Sequence, residues 1–186
     1  MSRILGLDVS TKTIGIALFE DNGKGGKLQL LTHITPKVKP KPTNNIETLI
    51  KKVQIFEKDF LEKYSDIEIN RVFIEEPLLR SNNVNTVATL LRFNGMICRS
   101  IYEVLNLVPE FVSSYDARKF AFPELMQIRL FKKSGDRYTP KEIEKKNPVL
   151  FGALPYDIDK KVVIHQKVSE LEPQVIWMYD KHNKLT

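Results

Sequence analysis

"ILGLDVSTKTIG", residues 4–15, decides how the rest of the chain reads. Its first half is a run of large aliphatic residues suited to a sheet interior. The run nevertheless carries one carboxylate, Asp8, before it breaks into small and hydroxylated residues and a lysine. A carboxylate buried without a partner costs several kcal/mol, so Asp8 needs a reason to be there. Taken alone, it fits two roles. It can cap the following turn by accepting from nearby backbone amides, or it can be held by the strand as a ligand for a cation.

The segments around it supply the setting. "SRILGLDV" (2–9) and "TIGIALFE" (13–20) are rich in β-branched or large apolar residues and are separated by a short polar break. "KLQLLTHI" (27–34) alternates after the turn-forming "DNGKGG", so these three segments predict an antiparallel meander. "PKVKPKP" (36–42) can be neither helix nor interior strand, because proline lacks the amide donor and fixes φ. A helix follows, with Asn44 as its cap and Glu47 three residues on. Ile46, Leu49, Ile50, Val53, Phe56, Phe60, Leu61 and Tyr64 recur on one face of it.

"RVFIEE" (71–76) reads as a fourth strand, residues 84–106 as a second long helix, "EFVSSY" (110–115) as a fifth strand, and "DARKF" as the start of another helix. A meander feeding strand–helix–strand units predicts an α/β fold: a mixed five-stranded sheet flanked by helices. The 186 residues are expected to form one domain, with a polar, basic loop or insertion at about 132–148.

Composition narrows the function classes. No apolar stretch approaches the ~20 residues of a membrane helix, and the start lacks the pattern of a signal peptide. The single cysteine, Cys98, excludes an intramolecular disulfide and a cysteine-cluster metal site. A reducing, cytoplasm-like compartment is the expectation. The formal net charge is +6, and residues 116–146 hold nine Lys/Arg against five Asp/Glu. An anionic partner fits this balance, and charge alone does not name it. His33, His165 and His182 share no ligand spacing and read as surface or packing residues.

If the first and fourth strands are neighbours, Asp8 and Glu75 converge at one edge of the sheet. Paired acids are tolerated where a divalent cation lies between them, and Mg²⁺ prefers hard oxygen ligands while keeping waters that substrate phosphates can replace. Such ions activate water and stabilise the leaving oxygen in phosphodiester cleavage. Glu75 and Glu76 also fit a solvated strand end.

"ILGLDVSTKTIGIALFE", then "VFIEEP", a long helix and "FVSSYDARK" together resemble the RuvC-like Holliday junction resolvases of the RNase H-like superfamily, especially those of phages and large DNA viruses. The likeness covers roughly residues 3–120, and "SNN" and "RFNG" sharpen it. The first motif also looks like YqgF-type nucleases and the phosphate-binding loop of actin-like sugar kinases.

The resemblance implies a nuclease of recombination and repair that uses Mg²⁺ or Mn²⁺ and acts on branched DNA, commonly as a homodimer. In a phage or virus it would act in the host compartment where DNA is processed. Asp8 and Glu75 match the family's first-strand and fourth-strand acids. Glu76 is assigned a supporting or DNA-facing role. Lys12, Arg80, Asn82, Asn83, Arg118 and Lys119 are candidate DNA contacts, the last two at the beginning of a helix.

Such enzymes complete their site with acids on a late helix, and no matching phrase is obvious here. Asp157 and Asp159 precede a helical run but are spaced by two rather than three. Asp180 and His182 have no following helix. The chain is thus expected to stop short of the last catalytic helix, with weak metal binding and slow or absent cleavage if nothing replaces it. Two rivals stand beside the nuclease: a non-catalytic nucleic-acid-binding module with an incomplete site, and an actin-like ATPase. The latter is disfavoured because it needs two copies of this domain.

Overall fold

A computed structural model describes residues 1–40, 42–77, 83–126, 130–146, 159–175 and 177. Five strands form one sheet: β1 (Ser2–Val9), β2 (Ile14–Asp21), β3 (Gly26–Ile34), β4 (Arg71–Glu75) and β5 (Glu110–Val112). Their spatial order is β3-β2-β1-β4-β5. β1–β2 and β2–β3 are antiparallel, while β1–β4 and β4–β5 are parallel. The mixed sheet expected from the meander and crossovers is what forms.

The two parallel steps run the same way along the sheet. Each is bridged by a helix, α1 (Asn45–Phe56) before β4 and α2 (Val84–Leu105) before β5. Right-handed crossovers travelling in one direction lay their helices on one face. The core follows from that. Leu5, Leu7 and Val9 of β1, Ile14 and Ile16 of β2, and Val72 and Ile74 of β4 are buried against Leu49, Val53 and Phe56 of α1 and Phe93, Ile97 and Ile101 of α2.

Asn44 caps α1 as the sequence implied, its Oδ1 accepting from the Ile46 amide at 2.7 Å. Glu47 pairs with Lys51 instead of reaching back to the cap. Ile46 and Ile50 stay exposed, so the apolar stripe is narrower than its spacing suggested. A π-helical turn at Glu57–Leu61 extends α1. Its wider circuit lets the consecutive residues Phe60 and Leu61 both enter the core. Among the described residues no helix is long and apolar enough to cross a membrane.

Residues Met1–Ser113 form one compact unit and Ser114–Thr186 a second. The second contains α3 (Ser114–Ala121), α4 (Pro140–Lys146) and α5 (Lys160–Leu171). Three expectations change here. β5 stops at Val112 rather than running to residue 115, because Ser114 already opens α3. Arg118 and Lys119 consequently lie in the last turn of α3, not at its beginning. Serine favours a helix start, and Asp116 in the first turn suits the dipole.

The supposed polar loop at 132–148 contains α4. Thr139 and Glu142 form a reciprocal cap: the Thr139 amide donates to Glu142 Oε2 at 2.8 Å and the Glu142 amide donates to Thr139 Oγ1 at 3.4 Å. Pro140 sits at the first helical position, where its missing donor costs nothing.

Candidate active site

β1 and β4 pair in parallel with Leu7 opposite Ile74, so the next step sets Asp8 beside Glu75. Leu5, Leu7, Val9, Val72 and Ile74 point into the core. Side chains alternate along a strand, so Asp8 and Glu75 share the other face. Asp8 is exposed and Glu75 half-buried, which resolves the puzzle of the opening stretch. The charge stands in a strand but on the side the helices α1 and α2 do not cover. Neighbouring strands lie about 5 Å apart, within reach of two carboxylates that bind one ion.

The surroundings of Asp8 are small. Directly across on β2 is Gly15, and the preceding residue on its own face is Gly6, paired with Ala17. A methyl group at Gly15 would come within 3.6 Å of the Asp8 Cβ. Glycine here keeps the floor low beside the carboxylate. The row continues on both sides, to Val112 of β5 beyond Glu75 and to His33 of β3 beyond Gly15. His33 is exposed. Nothing in its spacing along the chain groups it with Asp8.

The turn between β1 and β2 is built by Ser10. Its amide and hydroxyl both donate to the Thr13 carbonyl, at 3.0 and 2.8 Å, and its Oγ accepts from the Thr13 amide at 3.0 Å. The local turn chemistry thus falls to Ser10. The Lys52 ammonium of α1 donates to the Thr11 carbonyl and ties the turn to the helix. Lys12 is exposed at its tip.

Asn83 caps α2, its Oδ1 accepting from the amides of Asn85 and Thr86 at 3.1 and 3.2 Å. Glu76 is exposed just past β4, its amide donating to the Val112 carbonyl at 2.9 Å. In the second unit, Asp159 caps α5 by accepting from the Lys161 amide at 2.8 Å. Arg80, Asn82, Asp157, Asp180 and His182 lie outside the described residues. Among the described residues no group of three or more His, Cys, Asp or Glu is placed to hold a metal ion. The candidate donor set is the carboxylate pair.

No family model matches the chain, and no curated protein matches it in sequence. Among solved structures it is similar to Thermus thermophilus RuvC in complex with a Holliday junction substrate, at 10% identity and a TM-score of 0.51, over 64% of this chain and 69% of that one. A second Thermus thermophilus RuvC structure aligns at 15% identity and a TM-score of 0.45, over 63% and 65%. The human cytomegalovirus terminase nuclease domain aligns at 10% identity and a TM-score of 0.36, over 92% and 62%. At such identities the likeness speaks for the fold alone: the chain has an RNase H-like fold.

Proposed function

We propose that the chain is a divalent-metal-dependent endonuclease that hydrolyses phosphodiester bonds in branched DNA, four-way junctions included, and works as a homodimer. One observation carries the reading. Asp8 and Glu75 come one step beyond the Leu7–Ile74 pair on adjacent parallel strands, at alternating positions from residues that face the core.

Two hard carboxylates of this kind suit Mg²⁺ or Mn²⁺, which bind through one or two acids and leave positions for water and phosphate oxygens. When bound, the ion supplies charge neutralisation at the phosphate and acidifies a water molecule. The protein contributes position. Strands backed by a packed core hold both carboxylates without the entropy loss a loop would suffer on ordering.

Lys12 brings a cation to the adjoining turn, where a backbone phosphate gains from it. Arg118 and Lys119 offer two more charges on α3, and Arg80 and Asn82 are further candidates from the segment between β4 and α2. Glu76 supports the strand end through its backbone, and Asn83 acts by fixing the start of α2.

A second reading, a binding module that does not cut, accords with a ligand set of only two: among the described residues no three His, Cys, Asp or Glu are grouped to hold a metal ion. One experiment separates them. Incubation of a synthetic four-way junction with the protein and Mn²⁺ should give paired nicks near the branch. Asp8→Asn and Glu75→Gln should abolish the nicks and retain binding. Tight binding with no nicks in either Mg²⁺ or Mn²⁺ supports the non-catalytic module.

A further inference from the structure

The row that holds Asp8 and Glu75 does not end with them. Asp8 pairs with Gly15, and Gly15 pairs with His33. Ile34 and Leu30 pack against the core from β3. His33 therefore faces the same way as Asp8. Glycine is the only residue between the two, so the space above it is bounded by a carboxylate on one side and an imidazole on the other.

Two strand spacings separate the backbones of Asp8 and His33, about 10 Å. Among the described residues no group of three or more His, Cys, Asp or Glu is placed to hold one ion, so His33 is not grouped with the two carboxylates as a metal ligand. Just beyond the paired ends of the two strands, Thr13 precedes β2 and Thr35 follows β3, their Oγ1 atoms 3.5 Å apart. The polar groups toward the β3 side of the row are thus an imidazole and a pair of hydroxyls, while the β4 side carries the carboxylates. An imidazole presents an N–H in either of its protonation states, so it can donate to a phosphate oxygen throughout the neutral range.

We propose that His33 is a substrate-contacting residue of this site, donating from its imidazole to a non-bridging oxygen of the bound phosphodiester above Gly15. The proposal rests on the nuclease reading above.

The test measures steady-state cutting of a four-way junction in Mn²⁺ by the full chain and by Asp8→Asn, His33→Ala and His33→Lys, with melting temperatures alongside. His33→Ala should raise KM about tenfold and change kcat by less than threefold. His33→Lys, which restores a donor at this position, should return KM to within threefold of the parent. The exposed position predicts unchanged melting for both. If His33→Ala leaves KM and kcat intact while Asp8→Asn is inactive, His33 has no contact and the carboxylate site stands. A loss that His33→Lys does not restore assigns His33 a structural role and also overturns the proposal. Full activity of Asp8→Asn, or no cutting by the parent, overturns the nuclease reading and this inference with it.

Discussion

Two glycines show how differently the same residue type constrains this protein. Gly15 faces Asp8 with room for a methyl group at ordinary van der Waals distance. Gly15→Ala should therefore raise stability by about 0.5 kcal/mol through the lowered entropy of the unfolded chain. Gly15→Leu should fold and lose cutting, because its side chain fills the floor between Asp8 and His33. Gly26 is the opposite case, since a Cβ there would come within 1.6 Å of the Phe19 ring. Gly26→Ala must displace that ring and should cost about 1 kcal/mol in urea unfolding. At this scale the sequence was informative only where a residue was out of place. Asp8 is conspicuous as a lone charge in an aliphatic run. His33 is not, because only its pairing register places it in the row, and a one-residue slip would put it on the opposite face.

Helix ends carry the predictions at the scale of elements. Asn83→Ala removes the acceptor for two amides of α2 and should lower stability by about 1 kcal/mol, read from urea midpoints. Phe93→Ala opens a cavity where α2 meets the sheet, at a position with no exposure, and should cost about 3–5 kcal/mol. α4 has an acid-sensitive cap. The Lys132 ammonium, 2.7 Å away, and the amide and hydroxyl of Thr139 draw the Glu142 carboxyl down to about 2. Its folded value lies below the ordinary 4.5, so the unfolded chain takes up the proton first as pH falls. The stabilisation is complete above about pH 4.5 and disappears toward about pH 2. NMR signals of the α4 amides should report fraying across that window, and Glu142→Gln should remove the pH dependence. The Thr-Pro-Lys-Glu phrase that starts α4 was legible as a capping box, yet the surrounding run of charges made the segment read as a loop.

For the whole molecule, strand order was recoverable because each step is local: a tight meander, then crossovers whose handedness leaves one arrangement. The completion of the site was not recoverable in the same way. The late acids named from sequence have no register to fix them, and Asp159, the one of them among the described residues, is occupied as a helix cap. The net charge of +6 makes a prediction at this level. Junction binding should weaken linearly in log–log form as salt rises, by about tenfold between 50 and 200 mM if two phosphates are neutralised. Titrations at four salt concentrations measure that slope, and Lys12→Ala should make it shallower by about one phosphate.

The sheet's asymmetry has an evolutionary corollary. Positions 5, 7, 14, 16, 72 and 74 carry the load of folding, while positions 6, 8, 15, 17, 73 and 75, interleaved with them, look outward. Because the two sets alternate along the same strands without sharing a side of the sheet, selection can rewrite the outward alphabet while the inward one stays still. A scaffold organised in this way can exchange one chemistry for another without first becoming unstable.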